Sequence, residues 1–427
     1  MADSTTIEHK CPNCGATLEF NIDIQKVRCE YCGSEYDPSD LMVNEGNMEV
    51  DPSVIDLPDN GGEQWSDSDL SQLSEYSCSS CGSQLYADDT TSATVCPFCG
   101  SAVILKGRLT GSLKPDKVIP FKKNKEQALR ILEKHCIKKH FVPKSFKDDR
   151  KLDEVKGLYV PYWIYDAEVT ADMEYTGVKE KVLIPGKNSD LVELKYYRVH
   201  RKGRISFDHV PADGSSKMPD DLMESMEPYD YKEADDFKTA YLSGYVADKY
   251  DVEQEIAAER VRERIVEETD DRFRDTIKGF DEVYLKDSNI RTEKSNVEYV
   301  LYPVWMFNLD WNENKYTYVV NGQTGKIAGN LPVDKIKLRA VSFTVFILLM
   351  IGAWWSFSGD LRGEELLDAM VFAGIICLII EEFIVFWFKS DLQSVESRHG
   401  SDDYYREGSM KVDEAEEVFL YRKITTK

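Results

Sequence analysis

Eight of the ten cysteines form two copies of one metal-binding spacing. Cys11, Cys14, Cys29 and Cys32 recur as Cys78, Cys81, Cys96 and Cys99, each displaced by 67 residues, and a glycine follows every pair (Gly15, Gly33, Gly82, Gly100). Two cysteines separated by two residues sit on one tight turn and supply two corners of a tetrahedron, while the glycine lets the chain leave the turn without a Cβ clash. Fourteen residues part the two turns in each copy, enough for a short hairpin and too few for a hydrophobic core, so metal must supply the folding energy. Four protein ligands close such a site. The expected chemistry is therefore structural: two Zn2+ ions, each held by four thiolates, with no position left for an activated water. An iron centre and redox-active pairs are the lesser alternatives.

Zinc ribbons often serve nucleic acid, and charge argues against that here. Between Arg28 and Lys106 there is no lysine or arginine, against fifteen Asp or Glu residues, and the whole chain carries a net charge of −24. A surface that displaces counterions from phosphate needs the opposite sign. No nucleic-acid partner is expected. The acidic stretch 35–76, with Pro38, Pro52, Pro58, Gly61 and Gly62 and few apolar residues, reads as a flexible or loosely docked linker in which Trp65 and Leu70 dock locally.

The elements that must position these modules lie at the other end. Ala340 to Phe357 is a run of eighteen uncharged residues, and a second apolar stretch, Ala369 to Phe388, is interrupted only by Glu381 and Glu382. At about 1.5 Å per residue each approaches the length needed to cross hydrocarbon. Trp354, Trp355 and Trp387 suit the interfaces, and the pair reads as a two-helix transmembrane hairpin. Lys335, Lys337, Arg339 and Lys389 flank it, whereas the turn 358–368 carries Asp360, Glu364, Glu365 and Asp368 against a single Arg362. The positive-inside bias then puts both termini in the cytoplasm of a multi-pass cell-membrane protein, a compartment that keeps thiols reduced. Glu381 and Glu382 are costly in hydrocarbon. A tilted or broken helix explains them most simply, a partner contact next, and an ion pathway least.

The main soluble portion, 105–335, is long enough to bury a core. Lys125 to Lys138 reads as an amphipathic helix through Ala128, Leu129, Ile131, Leu132 and Cys136, and Asp251 to Glu268 as a longer one through Val252, Ile256, Ala257, Val261 and Ile265. Strands are expected over 160–175, 182–184 and 191–199, and a hairpin over 315–328 turns at Asn321-Gly322. Pro161 and Trp163 are echoed by Pro303 and Trp305, which suggests a duplicated α+β layer in which each proline ends a preceding element.

Other candidate chemistry is thin. Gly325-Lys326 lacks the upstream glycine and the following Ser or Thr of a phosphate loop. His135, Cys136 and His140 have no third ligand, and Asp166 and Glu168 have no nucleophile or base beside them. The basic run Arg198, His200, Arg201, Lys202 and Arg204 reads first as a solvated loop, then as a contact for the acidic N-terminal segment, and last as a site for anionic lipid.

The order of these features resembles bacterial membrane-associated double zinc-ribbon proteins of the YdjG-like group. The resemblance spans most of residues 5 to 390 and rests on Cys-Pro-Asn-Cys-Gly at 11–15, Cys-Glu-Tyr-Cys-Gly at 29–33 and Thr-Val-Cys-Pro-Phe-Cys-Gly at 94–100. Val-Pro-Tyr-Trp at 160–163, Tyr-Pro-Val-Trp at 302–305 and the late hairpin complete it. It implies partners among phage-shock-type membrane coat proteins and flotillin-like band proteins of envelope stress complexes, and no catalytic residues. The expectation is thus a multidomain α+β chain: zinc ribbon 1 (5–34), acidic linker (35–76), zinc ribbon 2 (77–104), central α+β domain (105–335), transmembrane hairpin (338–390) and charged cytoplasmic tail (391–427). It would act as a non-enzymatic membrane-anchored adaptor that contacts lipid and membrane-associated proteins and is free to oligomerise. An oligomeric transport component using Glu381 and Glu382, or an unrecognised enzyme in the central domain, are the alternatives.

Overall fold

The computed structural model describes residues 19–21, 26–31, 35–36, 55–91, 95–139, 141–144, 146, 151–152, 155–185, 191–311, 314–357, 369–380, 382–383 and 404–426. Its centre is an antiparallel layer of long strands: β1 (Lys156–Ile184), β2 (Leu191–Asp213), β3 (Glu282–Trp311) and β4 (Lys411–Thr426), in the order β4-β2-β1-β3. The separate strands expected over 160–175 and 182–184 are one continuous strand. Its middle alternates: Val169, Ala171, Met173 and Tyr175 are buried, while Thr170, Asp172 and Glu174 face outward. That period of two is the signature of a strand with one covered face.

The covering element is helix α1 (Gln254–Asp275), which starts and ends later than the sequence period suggests. Ala257, Val261, Ile265 and Phe273 join the core against β1 and β2, whereas Ile256 is exposed. The expected helix over Lys125–Lys138 has those bounds and is closed by a capping box between Asn124 and Gln127. Cys136 points into the core beside Leu132.

The basic run of β2 is a strand, which corrects the reading of a solvated loop. Asp172 pairs with His200 at 2.6 Å and with Lys202 at 3.6 Å, and Asp413 lies 3.5 Å from Arg204. Arg201 points to the other face and is buried, with Glu417 at 2.8 Å. Acidic columns on β1 and β4 thus flank a basic column on β2.

Two further expectations change. Residues 55–76, read as the latter part of a linker, pack on the central layer: Ile55 and Leu57 are buried, Gln254 bonds both ways with the Gly61 backbone, and Trp65 meets Tyr86 and Phe237 edge to face. The tail 391–427 is not merely charged, because 411–426 is β4 itself. Arg406 anchors its start on Asp208, and the Tyr404 hydroxyl bonds to the Glu227 carboxylate at 3.0 Å.

The internal echo extends beyond the aromatics. Pro161 and Pro303 lie inside strands rather than ending elements, and each carbonyl accepts a glycine N–H from the neighbouring strand's end: Gly214 at 2.9 Å and Gly322 at 2.8 Å. The residue before each glycine caps the turn, Asp213 accepting from Ser215 N–H and Asn321 from Gln323 N–H, both at 2.9 Å. Trp163 and Trp305 each donate their indole N–H to a backbone carbonyl, of Val252 and Lys123 respectively.

Beyond the layer, the chain leaves through helix α2 (Lys335–Phe357). Leu338 is buried with Trp305, Phe307 and Tyr318, but most of the helix is uncovered, with Phe343, Leu348, Ile351 and Trp355 exposed. Its span Ile336–Ser356 is long and apolar enough to cross a membrane. A shorter apolar helix covers Ala369–Ile380, with Ala373 and Cys377 buried and Gly374 facing Met350.

Candidate metal centre

Cys78 ends the strand Leu73–Cys78, and the chain turns through Cys81 into Gln84–Asp88. The second turn, Cys96 to Cys99, leads into Val103–Arg108, which pairs with Leu73–Cys78 on its other side. Both turns have the same backbone. Gly82 N–H reaches the Cys78 carbonyl at 2.9 Å and Gly100 N–H the Cys96 carbonyl at 3.0 Å, and both glycines have φ of 75°. A side chain is strained in that left-handed conformation, which is why glycine follows each pair.

The four sulfurs lie within 4.8 Å of one another, with Cys78–Cys99 at 3.5 Å and Cys81–Cys96 at 3.6 Å. Zinc–sulfur bonds of about 2.3 Å arranged tetrahedrally place sulfurs about 3.8 Å apart. A disulfide would require about 2.05 Å. The donor set therefore fits one tetrahedral thiophilic ion and not a disulfide pair. Cys78 and Cys96 are buried while Cys81 and Cys99 are partly accessible. Burial pushes the Cys96 thiol up; at Cys99 burial is outweighed by hydrogen bonding from Ser101, which holds that thiol down. Metal binding must displace the remaining protons, so affinity falls as pH falls.

Of the other predicted ligands, Cys29 is buried after the strand Lys26–Arg28, in a three-stranded antiparallel sheet with Glu19–Asn21 and Glu35–Tyr36. Cys11, Cys14 and Cys32 lie outside the described residues, as does Glu381, while Glu382 is exposed. One metal cluster is formed among the described residues.

This centre is not tethered; it is built into the central layer. Ala247 and Asp248 pair with Tyr86 and Leu85 of the ribbon, and the adjoining Val246 and Ala247 pair with Leu158 and Tyr159 of β1. The second turn is gripped by Asn308 of β3, whose amide donates to the Pro97 carbonyl at 2.6 Å and the Phe98 carbonyl at 3.2 Å. Thr317 in turn donates to the Asn308 side-chain oxygen at 3.1 Å.

A known protein is similar to this chain along most of its length. The chain is 34% identical over 338 residues to "Uncharacterized protein YdjG" of Bacillus subtilis (strain 168), over 78% of this chain and 92% of that protein. The chain belongs to the YdjG family. No family model and no solved structure matches it. The aligned length in this YdjG-family chain exceeds the whole central portion, so the relationship is not confined to one module.

The carboxylates singled out in the sequence serve locally. Asp166 accepts the His209 N–H at 2.8 Å and Glu168 lies 3.8 Å from Arg406. Sequence reasoning missed the buried acids. Asp213 and Asp248 are linked through Ser215, whose hydroxyl donates to Asp248 at 2.5 Å. Each keeps one carboxylate oxygen without a hydrogen bond among the described residues. Burial raises Asp213 well above the usual carboxylate range and Asp248 to about 8. Glu227 is raised by burial to about 7, against the pull of Arg264. The cavity lined by Asp213, Tyr162, Glu227 and Arg264 measures about 10 Å³, room for one water. The Asp213-Gly214 turn was the available signal, since it matches Asn321-Gly322 with a carboxylate in place of an amide.

Proposed function

We propose that this chain is a non-enzymatic, membrane-anchored adaptor whose folded domain sits on one side of a bilayer and presents zinc-stabilised modules to membrane-associated proteins. The observation that carries the reading is the path of the chain around its apolar segment. It departs from the domain at Leu338, buried beside Trp305, and β4 pairs with β2 from Lys411 to Thr426 of the same domain. A segment whose two flanks share one folded domain can cross a bilayer only an even number of times. With Ile336–Ser356 as one crossing, the stretch containing Ala369–Ile380 is the return, and both termini lie on one side. The lysines and arginine around the entry make that side the cytoplasm.

Both ribbons take zinc in this reading, the first through Cys11, Cys14, Cys29 and Cys32. The second is a rigid part of the platform, so partner sampling falls to the first ribbon and the acidic segment behind it. Attachment to the bilayer raises the encounter concentration of weak contacts. The partner class is that of phage-shock-type coat proteins or flotillin-like band proteins, as the resemblance implies. Co-purification from gently solubilised membranes tests it, comparing the full chain with a variant lacking residues 1–54. The adaptor reading expects specific membrane proteins with the full chain and their loss with the variant. An identical partner set would contradict it.

A further inference from the structure

The far end of the long strands is only partly covered. β3 begins at Glu282 opposite Val178, and α1 ends at Asp275, so neither reaches the last residues of β1. Residues 179–184 of β1, 191–195 of β2 and 422–426 of β4 continue as a three-stranded tongue; Val192 and Glu193 of its middle strand are buried, Phe280 lies under the Lys179 ammonium and Asp281 accepts the Glu180 N–H, while the ends of its outer strands are open. Along the strand contour, the 25 residues from the Tyr159 level to Ile184 place it about 80 Å from the end where α2 departs.

An exposed strand end is normally polar, and this one is not. Val182, Leu183, Ile184 and Ile424 are 48%, 41%, 61% and 52% exposed. Around them stand five cations, Lys179, Lys181, Lys195, Arg422 and Lys423, against three carboxylates, Glu180, Glu193 and Asp281, the last accepting the Glu180 N–H at 2.6 Å. Glu193 is taken up by Lys195 at 3.6 Å and Arg422 at 3.5 Å. The tongue is thus locally positive on a chain whose net charge is −24. Large aliphatic side chains at a tip, ringed by lysines whose long stems let the ammonium reach outward, suit the boundary between acyl chains and anionic headgroups. The acidic remainder of the molecule is repelled by such a surface, so contact is confined to the tip.

We infer that this tongue is a docking site for an anionic lipid surface, with the aliphatic tip entering the headgroup region and the flanking lysines holding phosphates. No particular protein partner is required. The test uses the full chain reconstituted in zwitterionic nanodiscs and mixed with vesicles containing phosphatidylglycerol or with purely zwitterionic vesicles. Capture of the anionic vesicles should exceed that of the neutral ones by about tenfold or more, and should fade as salt rises from about 50 to about 500 mM. Lys181→Glu/Lys423→Glu and Val182→Ser/Ile184→Ser should each abolish that preference while leaving the thermal melt unchanged. Should a variant unfold, the salt dependence of the parent decides. Equal capture of both vesicle types, or capture unaltered in folded variants, overturns the inference. So does association of the discs with one another without vesicles that the same variants remove, since the occupant is then a second copy. Failure to enter nanodiscs would count against the anchor and not the tongue, because vesicle capture can still be measured on the unanchored chain.

Discussion

Asn308→Ala should loosen the metal centre without touching a ligand. Asn308 donates two hydrogen bonds, at 2.6 and 3.2 Å, to the carbonyls of Pro97 and Phe98, both in the turn that carries Cys96 and Cys99. Each bond is worth about 0.5–1.5 kcal/mol net, and truncation also leaves the Thr317 hydroxyl without its acceptor. A loss of about 1–3 kcal/mol in the docking of this turn is expected, equivalent to roughly 5- to 150-fold more frequent local opening. Hydrogen exchange over residues 96–105 should accelerate within that range, and a chromogenic chelator should withdraw the bound metal correspondingly faster. Exchange in β1 should change far less. Metal release and exchange in the turn equal to those of the parent would show that the ribbon does not depend on β3.

Three other substitutions probe the buried charges and the strand pairing. Asp213→Asn, which copies the chain's own Asn321 turn, should raise stability at neutral pH. The raised Asp213 contributes stability below about pH 4 and loses it as pH rises, so the advantage in melting temperature should vanish in acid. Arg264→Met removes the cation from Glu224 at 3.0 Å and Glu227 at 3.4 Å, and should cost about 3–5 kcal/mol in denaturant titrations. Gly203→Val places a Cβ 2.1 Å from the Lys411 carbonyl; it should cost more than about 2 kcal/mol and expose β4 to limited proteolysis.

Much of this organisation is legible in residue spacing, and its failures have identifiable causes. The four thiols of the second ribbon and the Lys125–Lys138 helix arise from local rules, a turn geometry and a capping box, that need no tertiary information. Non-local pairing is what sequence period cannot supply. The run at Arg198–Arg204 reads as a loop because its partners, Asp172 on β1 and Asp413 on β4, are remote in the chain. Residues 55–65 look like a spacer since their few apolar members, Ile55, Leu57 and Trp65, become meaningful only against α1 and the second ribbon. Proline at 161 and 303 suggests an ending, yet both carbonyls remain available and the strands run on. Buried acids such as Asp213 are invisible to composition because acidic residues are expected outside.

In the proposed topology, one folded domain holds both flanks of the apolar segment on the same side of a bilayer. Accessibility labelling in intact cells and in opened vesicles tests it directly, with tags placed before Cys11, after Lys427 and within 358–368. Both terminal tags should be protected until the cytoplasmic face is opened, while the tag in the turn should be labelled from outside. A C-terminal tag reached from outside in intact cells would contradict it, because β4 could then not pair with β2.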